Sequence, residues 1–378
     1  MFLYLICITV SCFLIWLGES NRKYFITSKM IFLLALLIPA VLAGLRDVSV
    51  GIDSALYGHP VFYDALSSPS VAGMDPRWDE WIEKGYLGLN FLFSRYVDDV
   101  AWVYIFISLV QGIFILMALY SWRDKMPLWL GMFFYYCFFW LASLNSMRQY
   151  MAFPIAFFAF SYFCIHRKKT LYFFLIVVFA SFFHKSALLI IFLYAIYLYA
   201  QYFKSFMANI IFGIIALAIT VIIIMGAEYL NAVMLVIEMN RYNHYLTSSV
   251  EDKVIPYRSI IFMTPIAAMF YINRKKIAKT CKEFHFFACI IILMYCALLL
   301  PLSGNSDMRR LSECVWIFLC IVFPISIAAF DFPKNKKMLL NLSVVFYCLF
   351  NFVYVLFKDR NAHWSVYPYT SKIFESIF

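Results

Sequence analysis

The sequence predicts an all-α fold, a polytopic helical membrane protein, and two observations predict it. Of 378 residues, 65% are hydrophobic and only 14% are charged, against about 25% charged in an ordinary soluble domain. The apolar residues also gather into twelve runs, at 2–17, 30–45, 100–122, 128–144, 150–165, 171–183, 187–199, 210–225, 260–272, 286–302, 315–330 and 338–357. A soluble fold of this size cannot hide so much apolar surface and needs charge on its exterior. Composition therefore excludes a soluble enzyme, a disordered chain and a nucleic-acid binder. One span takes about 20 residues, so about 12 transmembrane helices fit the chain.

The run at 2–17 is followed, not preceded, by its bases Arg22 and Lys23, so it reads as a first span and not as a signal peptide. The runs from 30 to 165 each approach the length of a span. Those at 171–183 and 187–199 are short, about 20 Å each, and are split by His184-Lys185-Ser186. They read as two helices whose tip dips below the outer membrane surface. A single interrupted helix is the alternative; it would reverse every later loop and place Arg274-Lys275-Lys276 outside. The five runs from 210 to 357 complete the set, and residues 1–378 read as a single transmembrane domain.

Orientation follows from the Lys/Arg bias of short loops. One set of alternate loops, with Arg22-Lys23, Arg123, Lys125, Arg167-Lys168-Lys169, Lys204, Arg274-Lys275-Lys276 and Lys334, holds seventeen bases against four acids. The other side holds fourteen bases against seventeen acids, and the two balances give the net charge of +10. The basic side is assigned to the cytoplasm, and both termini to the outside. The longer segments are then outer: 46–99, 226–258, 303–310 and the tail 358–378. Within them, 85–96 reads as an interfacial or re-entrant helix with Tyr86, Leu89, Phe93 and Tyr96 roughly on one face, and 229–237 as another. The ten cysteines lie in apolar runs, apart from Cys281 in a basic loop, and read as small core hydrophobes.

Four polar clusters fall on the outer side. In the first, Arg46 follows a span directly, at headgroup level where a guanidinium can fork onto a phosphate. Gly51 permits the tight turn that presents Asp53. An equally open reading has Arg46 anchoring the helix end and Asp47 pairing with it. The second, Asn145-Ser146-Met147-Arg148-Gln149, joins two helices with almost no loop; a structural hairpin with a snorkelling arginine is the alternative. The third is His184-Lys185-Ser186, an ionisable pair at membrane depth, which is a functional feature by default. The fourth is Asn305-Ser306-Asp307-Met308-Arg309-Arg310. Several arginines on an otherwise acidic face suggest a polyanionic ligand such as a lipid-linked pyrophosphate; contact with lipid headgroups is the plainer explanation of any one of them. His59, His184, His244 and His363 show no metal-ligand spacing, and Asp98-Asp99 reads as the solvated start of a helix. No metal site is expected.

Arg46 with Val50-Gly51-Ile52-Asp53-Ser54 and Tyr57, then Glu83-Lys84-Gly85-Tyr86, Asn145-Ser146-Met147-Arg148-Gln149 and Phe183-His184-Lys185-Ser186-Ala187 resemble, in order, the motifs of the EpsG family of polysaccharide-biosynthesis membrane proteins, which overlaps the Wzy-type O-antigen and capsule polymerases. Ile52 and Ser54 stand where the family has Thr, and Lys84 where it has Pro. Leu311 follows Arg310 where the family often has a nearby Tyr. The resemblance implies a glycosyltransferase of the bacterial plasma (inner) membrane. It would join oligosaccharide repeat units carried on undecaprenyl pyrophosphate, donor and acceptor alike, at the outer leaflet. Arg46, Arg148, Arg309 and Arg310 would hold pyrophosphate and offset charge on the leaving group. Asp47, Tyr57, Asn145, Gln149 and Lys185 would complete the sugar- and pyrophosphate-binding set. Asp53, Glu83 or His184 would take the acceptor's proton. The anomeric bond to pyrophosphate is already activated, so no cofactor, metal or nucleotide sugar is required. The expected partners are the two lipid-linked saccharides and membrane lipids; a chain-length regulator is left open. An O-antigen ligase and a lipid-linked oligosaccharide flippase are the competing functions.

Overall fold

The computed structural model describes residues 1–167, 169–236, 257–303, 312–359 and 365–371. The described residues are helical and contain no strand, as an all-α polytopic membrane protein requires, since helices satisfy their own backbone hydrogen bonds in lipid. Each of the twelve apolar runs coincides with a helix. Among the described residues, seven helices are long and apolar enough to cross a bilayer, and four more, Thr170–Ser181, Ser259–Ile272, Phe284–Leu299 and Ser312–Ala328, are shorter. The twelfth run lies in the helix that begins at Met147–Phe158 and runs on to His166.

The chain divides into two compact units, Met1–Leu188 with Asp331–Phe378, and Leu189–Phe330. The first unit contains α1 (Phe2–Ser20), α2 (Phe25–Gly44), α3 (His59–Ser67), α4 (Arg77–Trp81), α5 (Lys84–Ser94) and α6 (Ala101–Tyr120). It continues with α7 (Leu128–Asn145), α8 (Met147–Phe158), α9 (Thr170–Ser181) and, late in the chain, the helix Lys334–Asp359. α1 packs on α2 and α7, α2 on α6, α6 on α8, and α8 on α9. Pro39 and Pro154 sit inside α2 and α8, which membrane helices tolerate where neighbours re-satisfy the backbone. Three stretches widen to π-helix, at Ser54–Gly58, Tyr136–Trp140 and Ala159–His166; such bulges concentrate at functional sites.

Alternation of helix direction gives this unit two chemically different ends. At one end Glu19 accepts the Leu128 N–H at 3.0 Å, Trp122 Nε1 donates to Ser161 at 2.7 Å, and Phe163 stacks on Tyr172. This is the end that carries Arg22, Lys23, Arg123, Lys125 and Arg167. At the other end Tyr4 OH donates to the Val366 carbonyl at 2.7 Å, and Tyr369 OH to that of Leu42 at 2.8 Å. There residues 365–371 lie across the loop after α2: Gly51 N–H meets Ser365 O and Asp47 N–H meets Thr370 O, both at 2.9 Å.

Two interfacial assignments are corrected. The helix over Lys84–Ser94 exists, but it buries Tyr86, Leu87, Asn90 and Ser94. Tyr96 lies beyond its end and is 82% exposed. The buried stripe follows the packing against α3 and α6, which a hydrophobicity count cannot distinguish from a lipid-facing stripe. The segment starting at Tyr229 is no separate interfacial helix up to residue 236; it continues the helix Phe206–Val236. Asp99 behaves as expected, accepting the Ala101 N–H at 2.8 Å at the start of α6. The split at 184 also stands as two helices, α9 ending at Ser181 and the next opening with a 3-10 turn at Lys185–Leu188.

In the second unit the helix Leu189–Tyr202 becomes α10, Phe206–Val236 α11, Tyr257–Ile272 α12, Arg274–Thr280 α13, Phe284–Leu299 α14 and Leu319–Ala328 α15. α14 is its central helix and packs on α10, α11, α12 and α13.

Candidate functional site

The site begins at a break in the backbone. α7 stops at Asn145, Ser146 leaves helical geometry with ψ at 57°, and α8 starts at Met147. The break puts Asn145 and Arg148 side by side at the end of the bundle opposite the basic loops. Asn145 Oδ1 accepts the Asp53 N–H at 3.0 Å. Gly51 makes that approach feasible. Its φ is +91°, and a Cβ there would stand 3.0 Å from the Leu144 carbonyl, in a conformation glycine alone adopts without cost.

Arg148 is 8% exposed and organises the centre. Its Nη1 donates to Glu83 Oε2 at 2.7 Å and to the Trp81 carbonyl at 2.9 Å. Its guanidinium lies 4.5 Å over the Tyr57 ring, and Tyr57 OH donates to Asp53 Oδ2 at 2.8 Å. Tyr86 meets the Tyr57 ring edge-on at 5.7 Å. Burial, with Asp53 beside it, pushes the Tyr57 phenol well above its ordinary range, so Tyr57 stays a neutral donor to Asp53. The Glu83 corner is closed by the turn after α9. Gly85 N–H donates to Phe182 O at 2.9 Å, and Lys185 N–H reaches Glu83 Oε1 at 3.4 Å. A Cβ on Gly85 would stand 2.5 Å from the Phe182 carbonyl oxygen.

Arg46 occupies a neighbouring and different environment. It is 6% exposed, donates from Nη2 to Met147 Sδ at 2.8 Å, and lies 4.3 Å over the Tyr104 ring. Its Nε has no hydrogen-bond partner among the described residues. It lines a cleft of about 380 Å³ together with Asp47, His59, Tyr63, Asp99 and Tyr104. Gly58 lets Tyr104 and Met147 pack against this loop, since any Cβ there would overlap the Tyr104 hydroxyl.

The structure thus brings Asp53, Tyr57, Glu83, Asn145 and Arg148 into one connected cluster, with Arg46 beside it. Lys185 joins through its backbone. His184 precedes it, half-buried, with Nδ1 in a hydrogen bond with Ser186. Gln149 is buried in α8. Asp47 uses Oδ1 to accept the Ser49 N–H at 3.0 Å, holding the turn. Arg309 and Arg310 lie outside the described residues. Sequence reasoning missed the Trp81 carbonyl, the inward role of Tyr86, the Arg46 partners Tyr104 and Met147, and the strap 365–371. Tyr104 had one faint signal, its place one turn into α6. A backbone carbonyl has none.

What the arrangement can do is bind anions with one guanidinium while a second is held rigid by Glu83, with Asp53 half-buried beside it. No curated protein and no solved structure matches the chain. The model of the EpsG family matches residues 29–371, a span that takes in all four motifs and both units, and the chain therefore belongs to the EpsG family of polysaccharide-biosynthesis membrane proteins.

Proposed function

We propose that this chain is the polymerase of a bacterial surface polysaccharide. It joins oligosaccharide repeat units carried on undecaprenyl pyrophosphate at the outer leaflet of the plasma membrane, with the site and both termini on the outer side. The observation that carries the reading is the convergence of the four motifs around Arg148: Glu83 and Tyr57 meet its guanidinium, Asp53 joins through Tyr57 and Asn145, and Lys185 N–H reaches Glu83. A catalytic centre needs such preorganisation, and a structural hairpin does not.

Asp53 serves as the base. Its carboxylate is half-buried and already accepts one hydrogen bond, from Tyr57, while Glu83 is committed to Arg148. The acceptor sugar hydroxyl loses its proton to Asp53 as its oxygen attacks the anomeric carbon of the donor. The bond from that carbon to pyrophosphate breaks, and undecaprenyl pyrophosphate leaves with both electrons. Arg46, which lines the cleft, takes the growing charge on the leaving phosphate. His184 and Lys185 border the acceptor side, and Asp47, Asn145 and Gln149 hold the loops and helix start that carry Asp53 and Arg148. Arg309 and Arg310 supply further outer charge for the second lipid-linked substrate.

The test is deletion in the host, followed by gel analysis of surface polysaccharide and complementation. A polymerase deletion leaves single repeat units on the surface, and Asp53→Asn fails to restore the ladder. Loss of surface units with internal accumulation of lipid-linked units would assign a flippase. Long polymer left on the lipid carrier would assign a ligase.

A further inference from the structure

The second unit holds a feature that the proposed chemistry does not use. Two adjoining clefts, of about 440 and 320 Å³, share Phe206, Asn209 and Arg274. The larger continues along apolar Ile210, Gly213 and Ile292 between α11, α12 and α14; the smaller ends at Lys275, Phe284 and His285. It carries a polar pair: buried Asn209, 6% exposed, hydrogen-bonds half-buried His285 at Nδ1 at 3.2 Å. The rim is cationic. Arg274 and Lys275 line it, the segments 204–213 and 270–299 also carry Lys204, Lys276, Lys279 and Lys282, and Glu283 is their one acid. Arg274 is fixed by donation from Nη1 to the Tyr271 carbonyl at 3.0 Å.

We propose that this trough is a binding site for one anionic glycerophospholipid, with the headgroup phosphate on Arg274 and Lys275 and an acyl chain along Ile210, Gly213 and Ile292. Charge complementarity selects the occupant. A zwitterionic lipid would fill the apolar trough equally well but gains nothing from six bases against one acid, whereas each base near an anionic headgroup adds a measurable increment to affinity. A polar pair at the cationic end and an apolar wall beyond it match the two parts of such a lipid. The site stands independently of the polymerase reading, because it shares no residue with the Arg148 cluster.

The experiment is native mass spectrometry of the full-length protein in detergent, titrated separately with phosphatidylglycerol, phosphatidylcholine and inorganic phosphate. One phosphatidylglycerol should be retained over phosphatidylcholine by about fivefold or more. That preference should vanish in the Arg274→Gln, Lys275→Gln double variant. Retention of either lipid should fall in Gly213→Trp, which fills the trough; a Cβ there meets Ile292 only at 3.6 Å, so the site accepts a side chain. Equal retention of the two lipids by the wild type overturns the proposal without any variant. So does competition by inorganic phosphate alone, which would mean an anion site without a lipid, and so does unchanged retention in Gly213→Trp, which would mean diffuse charge attraction.

Discussion

Two arginines sit side by side at one end of the first unit, and they are buried almost equally, Arg46 at 6% and Arg148 at 8% exposure. Both lie over a tyrosine ring and both leave Nε without a hydrogen-bond partner, but their remaining partners differ. Arg148 has a carboxylate at 2.7 Å, a backbone carbonyl at 2.9 Å and a second carboxylate reached through Tyr57. Arg46 has only a thioether besides its aromatic face, and it lines a cleft. A buried charge that is already matched serves the architecture, whereas one left with weak partners keeps its capacity for an incoming anion. Burial alone therefore does not separate a structural arginine from a ligand-binding one; the accounting of its donors does.

The sharpest way to break this comparison is to remove the matched partner. Arg148→Ala leaves Glu83 buried without its cation and should cost about 3–5 kcal/mol of stability, read as a large fall in Tm of the purified protein, with polymer lost as well. Changing both, Arg148→Met with Glu83→Gln, should recover part of the Tm and none of the polymer. A wild-type Tm for Arg148→Ala would dissolve the distinction. Next in size is Gly85→Ala. The added methyl meets the Phe182 carbonyl at 2.5 Å, and relief of such overpacking typically costs about 1–3 kcal/mol. Because that contact ties the Glu83 corner to the turn before Lys185, polymer length should shorten in step with Tm.

Tyr57→Phe removes one hydrogen bond to Asp53 and retains the ring under Arg148, so a loss of about 1 kcal/mol is expected. The rate of polymerisation should fall more than that figure alone would explain, because Asp53 loses its orientation; a rate equal to wild type would remove Tyr57 from the site. The smallest effect on stability belongs to Arg46→Lys. The stacking on Tyr104 is weakened, at a cost of about 0.5–1 kcal/mol, but the fork that grips a phosphate is gone. Binding of undecaprenyl pyrophosphate, measured on the purified protein, should weaken about tenfold or more, consistent with loss of one hydrogen bond to a charged group. If Arg46→Lys instead behaves like Arg148→Ala, with Tm falling and binding intact, the two roles are reversed.

The helices were legible because twelve apolar runs leave a polypeptide in lipid no other structure. The polar residues were legible because they interrupt those runs: Arg46 after α2, Asn145 and Arg148 at the α7–α8 break, His184 between two short helices. Contacts that run through the main chain were not. The Trp81 carbonyl on Arg148 and the Gly85 N–H on Phe182 leave no trace in residue type. The face of α5 was misread for a related reason. Tyr86 looks like a lipid-facing aromatic in a helical wheel, yet it is fully buried against Tyr57, and only tertiary packing decides which surface a stripe covers. The difference between Arg46 and Arg148 was equally invisible, since each lies within two residues of the end of an apolar helix, Arg46 just after α2 and Arg148 in the first turn of α8.

The strap formed by residues 365–371 carries a consequence for biogenesis. Its carbonyls receive the amide hydrogens of Asp47 and Gly51, and its tyrosine holds the end of α2. These residues leave the ribosome after all sixteen helices named above. The loop that bears Arg46 and Asp53 is made among the first sixth of the chain, and it waits for nearly the whole of translation before its last neighbours arrive. A chain cut before residue 365 would contain every one of these helices and still lack the carbonyls that receive the Asp47 and Gly51 amide hydrogens.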